Sequence, residues 1–307
     1  MPILERDPWR LQYFEHVSCP GDVLIPTDDP DCWLLFPKHR WVYDKLKVAE
    51  TQGLACGPHG VMPEGYPVFS KPMVNLKGMG LGSRVISSAA GMEHFSQPGH
   101  MWMPLLEGPH VSTDCAIDNG RIAWCRHATG IPWDDGMFRH WTIHSDPMPG
   151  LADYLGTWVR DHMAGYTGMM NFETIGGRII EAHLRFADQW CDLYGEHWVT
   201  ALVGLYSRGK WQFDDSHRSV GYSIPLFAAH VANLRHPAAD QQAQVRAMPH
   251  VSSLQITFHE AKRPEDHPMP PGGFRLAVIN ATDLEAGHRA RRALAAFFPQ
   301  QAVLDQD

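Results

Sequence analysis

The sequence predicts a protein of mixed helix and strand, α+β or α/β, on three observations. Strand-like blocks gather at 66–88 and 111–127, each folded back on itself around glycine. Helical spacing appears at 38–52, 150–164, 191–208 and beyond Asp283, mixed with the strands instead of alternating strictly with them. Finally, 307 residues with 44% hydrophobic and 20% charged side chains suffice for one large domain or two to three lobes around a substantial core.

Taken in order, residues 1–36 mix Pro, Asp and aromatics, which predicts an irregular lead-in with one short strand, CWLLF at 32–36. Between 38 and 52, Trp41, Leu46, Val48 and Ala49 fall on one helical face and Gly53 offers a stop. YPVFSKPMV (66–74) reads as a strand, NLKGMGLGS (75–83) as a glycine-rich loop and RVISS as the return strand. Strands at 111–117 and 121–127 are joined by Asp118-Asn119-Gly120, whose Asn-Gly pair accepts positive φ. LADYLGTWVRDHM predicts a helix over 150–164, and strands at 168–174 and 178–185 flank Gly176-Gly177. A helix at 191–208 precedes a loop-rich region containing LFAAHVANL, and PEDHPMPPGG marks a break. FRLAVINATDLEAGHRARRALAAFF closes the chain as strand, turn and a helix starting near Asp283, with HRARR on its exposed face. No internal repeat is present.

Charge and cysteine usage narrow the function classes. A net charge of −8 argues against a nucleic-acid partner, because a broad phosphate footprint needs excess cations. The 19 histidines show no zinc-finger spacing, and the six cysteines include no C-x-x-C pair, which fits reduced thiols in a cytoplasmic protein. The charged N-terminus has no apolar signal-like run, and no eighteen apolar residues occur together, so no membrane partner is expected.

Chemistry concentrates in RIIEAHLRF (178–186). Period two puts Glu181, His183 and Arg185 on one strand face, where burial is costly unless a metal, an anion or each other satisfies them; a solvated edge strand is the plain alternative. Gly78, Gly80 and Gly82, with Lys71 and Lys77 nearby, could cradle phosphate or form a flexible turn, and fit neither the Rossmann nor the P-loop pattern. RHATGIPWDDGMFRHWTIH carries Arg126, His127, Arg139, His140 and His144, either a carboxylate-binding cover or a polar surface loop, with Asp134-Asp135 as a turn. Met163, Met169 and Met170 read as core packing, and no cysteine is nominated as a nucleophile.

The succession of parts carries more than any one of them. Asp44-Lys45 on a helix, YPVFSKP into the glycine loop, LLEGPHVSTD (105–114), GMMNFE (168–173), GGR (176–178) and IEAHLRF (180–186) follow one another in an order that resembles the ATP-grasp superfamily, of the carboxylase and carboxylate-amine ligase type. The resemblance covers roughly 38–300. It implies an α+β fold of two lobes holding nucleotide between antiparallel sheets, with 1–37 a short lead-in, 38–110 the N-terminal lobe and 111–307 the C-terminal lobe with its closing strand and helix. Family ligases carry a further α/β domain where these 37 residues stand, so the acceptor site is expected from the lead-in and C-terminal lobe, from a homo-oligomer or from a partner subunit.

By the same resemblance, Lys45 and Lys71 hold the phosphates of ATP under the loop of Gly78, Gly80 and Gly82. The stretch Met103 to Leu106 meets adenine, without the acidic residue usual at its start, and His110 lies near the ribose. Glu181 and Asn171 bind Mg2+, Glu173 being a substitute on the same face, while Arg185 lies near the transferred phosphate. His183 replaces the family's Asn, and an imidazole exchanges poorly for an oxygen ligand of magnesium. It could bond a phosphate or substrate, accept a softer metal, or mark a site without turnover. The implied activity is ATP- and Mg-dependent activation of a small carboxylate as an acyl phosphate for attack by an amine. The alternatives are a degenerate nucleotide- or partner-binding protein and, from another class, a histidine-based metal binder.

Overall fold

The computed structural model describes residues 3–230 and 234–306. Residues 231–233 of the predicted loop-rich stretch therefore lie outside the described residues.

The lead-in forms β1 (Ile3–Leu4), α1 (Pro8–Leu11), β2 (Ile25–Pro26) and α2 (Asp29–Leu35), with β1 and β2 parallel. The expected strand at 32–36 is thus a helix. Asp28 caps it by accepting from the Asp31 N–H, Pro30 occupies its first turn, where a missing donor costs nothing, and Leu34 is 73% exposed. Next, residues 38–52 split into a 3-10 turn at Arg40–Tyr43 and α3 (Lys45–Thr51). Asp44 leaves helical geometry between them to accept from the Leu46 and Lys47 N–H groups, and Gly53, at φ 68°, follows the helix end.

A four-stranded antiparallel sheet follows from β3 (Gly57–Pro58), β4 (Val68–Pro72), β5 (Arg84–Ile86), then α4 (Ala89–His94) and β6 (His100–Pro104), in the order β3-β6-β4-β5. The large sheet takes β7 (His110–Asp118), β8 (Arg121–Pro132) and β9 (Phe138–Ile143), then α5 (Pro149–His162), β10 (Gly168–Ile175) and β11 (Arg178–His183). It is completed around α6 (Trp198–Arg208), β12 (Gly221–Ala228), α7 (Ala239–Arg246), β13 (Val251–Ile256), β14 (Phe274–Ala281) and α8 (Leu284–Ala295). Its eight strands run antiparallel in the order β11-β10-β7-β8-β9-β12-β14-β13.

Both glycine hairpins have the backbone their sequences require: Asn119 and Gly120 lie at φ 47° and 76°, Gly176 and Gly177 at 55° and 78°. Opposite faces of the large sheet bury different cores. Cys115, Ile117, Met170 and Phe172 pack with Leu155, Trp158 and Val159 of α5, whereas Ala116, Trp124 and Met169 pack with Trp198 and Leu202 of α6. The three methionines at 163, 169 and 170 are core residues. Asp283 caps α8 by accepting from the Ala286 N–H, but Ala290 and Arg291 are buried, so HRARR is not wholly an exposed face.

The segment expected as a polar loop or cover is instead most of β8 and all of β9, and the stretch around Leu226 is β12. The helix expected at 191–208 is a 3-10 turn at Cys191–Tyr194 followed by α6, interrupted where Gly195 and His197 take φ 119° and 69°. Among the described residues no helix is long and apolar enough to cross a membrane.

Candidate functional site

Antiparallel pairing assembles the polar face that the sequence suggested. Asn171 of β10 sits opposite His183 of β11, and Glu173 opposite Glu181. On the other side of β10, Asn171 pairs with Asp114 and Glu173 with Ser112 of β7. The β10–β11 ladder slips by one residue, Glu181 pairing with Glu173 but Ile179 with Thr174, so Ile180 is the extra residue of a bulge. Its carbonyl accepts from Lys71 Nζ at 2.6 Å.

Two lysines converge on this end of the sheet. Lys45, the first residue of α3, places Nζ 3.1 Å from Glu181 Oε1, and Lys71 reaches in from β4; each residue is only 5% exposed. Among the described residues Lys71 makes no ion pair. Burial pushes its ammonium down to about 8, Glu181 pulling it partly back while Lys45 pushes further. Burial would raise the Glu181 carboxyl, but Lys45, His183 and Lys71 outweigh that and hold it below its ordinary value. One carboxylate thus serves two buried ammonium groups.

The remaining members of the stripe are satisfied from the lead-in. Asp29, in the first turn of α2, is 4% exposed and accepts from Arg185 Nε (2.9 Å) and Nη2 (3.1 Å), from the Tyr43 hydroxyl (3.1 Å) and from His183 Nδ1 (3.0 Å). Burial would raise this carboxyl, yet Arg185 and His183 hold it well below the carboxylate range. His183 Nε2 faces the other way, 3.7 Å from Glu181 Oε1. Arg185 itself lies just past the end of β11.

A third carboxylate anchors the floor. Asp114 is 1% exposed and accepts from the Ala187 N–H (2.9 Å), the Tyr194 hydroxyl (2.6 Å) and Asn171 Nδ2 (2.7 Å). Burial outweighs these bonds and pushes its carboxyl up to about 6. Asn171 also donates to Ser112 Oγ, so its amide nitrogen is committed on the β7 side. Glu173 is held at 2.5 Å by His110 Nε2, whose ring stands edge-on to Phe138 and Trp141. Among the described residues no three His, Cys, Asp or Glu side chains converge with metal-ligand spacing.

Gly78, Gly80 and Gly82 all take positive φ (67°, 64° and 79°), and the Met79 carbonyl lies close to Gly136 in the β8–β9 turn, so the loop reaches toward the large sheet. Met103 is buried in a small apolar cluster with Met101 and Ala49, against which Leu46, Met73, Leu106 and Ile180 pack. Met103 and Leu106 therefore share a cluster with the bulge residue that receives Lys71. The five Arg and His residues of β8, β9 and the residue after β9 do not gather into one site, although His144 donates its backbone N–H to the His127 carbonyl across the ladder. Arg126 is ion-paired to Asp215 at 3.2 Å, and His127 bonds Thr113, burial pushing its imidazole down to about 4. Arg139 donates to the Gln306 carbonyl, His140 packs beside Tyr222 and His144 bonds Thr129.

The sequence reading missed Asp29, Asp114 and Tyr43. Asp29 carries no local signal of a site, because its partner His183 is 154 residues away. Asp114 carried a weak one, a carboxylate in mid-strand next to the apolar run Cys115 to Ile117.

No family model matches the sequence, and no curated protein is similar enough to count as a match. Solved structures are similar in fold. L-amino acid ligase from Bacillus licheniformis superposes with a TM-score of 0.62 at 11% identity, covering 97% of this chain and 84% of that one. Phosphoribosylamine–glycine ligase from Thermotoga maritima gives 0.62 at 12% identity over 95% and 87%. The biotin carboxylase domain of Hydrogenobacter thermophilus 2-oxoglutarate carboxylase, in complex with MgADP, ADP and bicarbonate, gives 0.53 at 12% identity over 89% and 68%. Taken with the antiparallel sheets described above, these likenesses show that the chain has the α+β ATP-grasp fold.

Proposed function

We propose that the chain is an ATP-dependent ligase that activates a small carboxylate as an acyl phosphate for attack by an amine or similar nucleophile. The observation that carries this reading is the pair of buried lysines, Lys45 and Lys71, served by the single carboxylate of Glu181. Burying cations in excess of their counter-ions is costly and a bound anion relieves that cost; two lysines beside a loop of positive-φ glycines would suit a polyphosphate. The solved ligases and carboxylase of the same fold support it.

On this reading Lys45 and Lys71 bind the phosphates and the backbone of Gly78, Gly80 and Gly82 covers them. The apolar cluster of Met103 and Leu106 takes the adenine, with His110 toward the ribose. Glu181 and Asn171, with Glu173 behind them, offer carboxylate and amide oxygens, a donor type that suits magnesium. Magnesium, when bound, would offset charge on the phosphate oxygens. Arg185 would steady the transferring group, Asp29 holding the guanidinium in place. Substrates are small molecules, and the lead-in, which already reaches the site through Asp29, would help shape the acceptor pocket as part of a 1–37, 38–110 and 111–307 organisation in a cytoplasmic protein.

A second reading, a nucleotide-binding protein without turnover, is favoured by one observation: Asp29 already engages both Arg185 and His183. Incubation with ATP, magnesium, hydroxylamine and a panel of small carboxylic acids separates the two. Acyl phosphate is trapped as hydroxamate with matching ADP in the wild type and not in Lys71→Met if the ligase reading holds. Nucleotide binding without hydroxamate from any acid supports the second reading.

A further inference from the structure

We propose that Arg275 recognises a carboxylate of the substrate, so that the site selects small acids carrying a second carboxylate beside the one to be activated. The reaction is that of the ligase reading above; the recognition rests on the surroundings of Arg275.

Arg275 is the second residue of β14, and its backbone is engaged on both sides, the N–H donating to Met269 Sδ and the carbonyl accepting from the Thr257 hydroxyl. The residue is only 8% exposed, yet among the described residues nothing bonds its guanidinium, and Nε is enclosed without an acceptor. A guanidinium stays charged and offers five donors, so burying it unbonded is costly until an acceptor arrives. Burial pulls it down to about 10, with Asp188 and Asp7 restoring only part and Arg10 opposing them. A cost of this kind with no return inside the fold is expected at a functional position.

The acids nearby are committed to other partners. Arg10, from α1 of the lead-in, takes Asp188 at 2.9 Å, Asp7 at 3.3 Å and Glu5 at 3.6 Å, and His259 lies 3.2 Å from the Asp7 carboxylate. Burial raises the Glu5 carboxyl, which brings it closer to neutrality. The negative charge that remains makes a doubly charged phosphate a poor match. A singly charged carboxylate meets half that repulsion and fits the planar fork in bidentate fashion.

Placement ties Arg275 to the site. The lead-in lies over this end of the large sheet, where Gln12 donates to the Leu254 carbonyl at 3.3 Å and the Tyr13 hydroxyl bonds Ser253 at 2.9 Å. Asp188 and Arg10 act on the charge of Arg185 as well as on that of Arg275, so one pair of side chains links the two guanidinium groups electrostatically. Both belong to the region that the lead-in covers, Arg185 held by Asp29 and Arg275 beside Arg10. Arg185 is thereby available to the reacting end of a substrate and Arg275 to the end that does not react.

The test titrates the full chain calorimetrically with succinate and glutarate, and with butyrate and pentanoate as monocarboxylates of the same length. We expect the dicarboxylates to bind at least about tenfold more tightly, a preference lost in Arg275→Met and partly kept in Arg275→Lys, which retains the charge without the fork. Unliganded Arg275→Met should resist urea as well as the wild type or better, because it removes a buried charge that no group in the fold bonds. No preference in the wild type, or one unchanged in Arg275→Met, overturns the proposal. Where neither variant folds, phenylglyoxal labelling of wild-type Arg275, read by peptide mass spectrometry, decides: slower labelling in glutarate supports the proposal and an unchanged rate overturns it. The hydroxamate assay on the same acids keeps the two claims apart. Dicarboxylate binding through Arg275 without ADP or hydroxamate sinks the ligase reading alone. Hydroxamate from both kinds of acid alike, unchanged in Arg275→Met, sinks this inference alone.

Discussion

Replacing Lys71 by methionine removes a buried charge while keeping most of its volume, and the structure fixes the sign and window of the effect. The wild-type ammonium falls from its ordinary 10.5 to about 8. Each unit corresponds to about 1.4 kcal/mol, so holding Lys71 charged in the folded chain at neutral pH costs about 3 kcal/mol. The folded value is depressed, so the unfolded chain binds more protons between pH 8 and 10.5, and stability rises with pH across that window. From pH 7 to pH 10 the wild type should gain about 2.5 kcal/mol from this group alone, a gain the Lys71→Met protein lacks. Losing the bond to the Ile180 carbonyl offsets part of the variant's advantage at every pH, by about 1–3 kcal/mol, but leaves the pH slope untouched. Urea denaturation of both proteins at pH 7, 8.5 and 10 reads the difference directly, and groups common to both cancel. A wild-type-minus-variant difference that stays flat from pH 7 to 10 would refute the argument that an underpaired lysine is buried here.

Asp29→Ala strands Arg185 and His183 without their shared carboxylate and should cost about 3–5 kcal/mol in urea unfolding. Because the Asp29 carboxyl is held low, its contribution is present above pH 3.8 and is lost as the pH falls further. Asp114 behaves oppositely. Raised to about 6, it contributes stability that is complete below pH 3.8 and lost as pH rises through 6, about 3 kcal/mol in all, and Asp114→Asn should flatten the wild-type profile of thermal unfolding between pH 4 and 7. Gly176→Ala should destabilise by about 2 kcal/mol or more, since its φ is 55° and a Cβ would meet the Glu107 carbonyl. Gly177→Ala, at φ 78° with open space, should cost only about 1 kcal/mol on the same denaturation assay.

The hairpins were legible because their information is local: Asn119-Gly120 and Gly176-Gly177 encode the backbone they need in two residues. α2 was misread although its signals were local too, since Asp28 as cap and Pro30 in the first turn outweigh the apolar look of CWLLF. β12 was obscured by Pro225, a residue that argues against a central strand. The structure tolerates it because β9 pairs with β12 only over Gly221 to Ser223, and beyond that point the neighbour is Gln306, whose Nε2 donates to the Pro225 carbonyl, so no strand partner on that side calls for the missing N–H. β6 hid for another reason, as HMWMP is too short and too uniformly apolar to show a period. At the site, alternation exposed Glu181, His183 and Arg185, and the order of parts gathered Lys45 and Lys71 with them. What satisfies the stripe was not legible, because Asp29 arrives from a helix at the far end of the chain and only folding brings it there.

Calorimetric titration of ATP with magnesium or manganese present, on the wild type and on Lys71→Met, tests the central claim most directly. Metal-dependent binding to the wild type is expected, weakened by at least about tenfold in the variant through the loss of one desolvated charge contact. Absence of ATP binding to the wild type with either metal would contradict it.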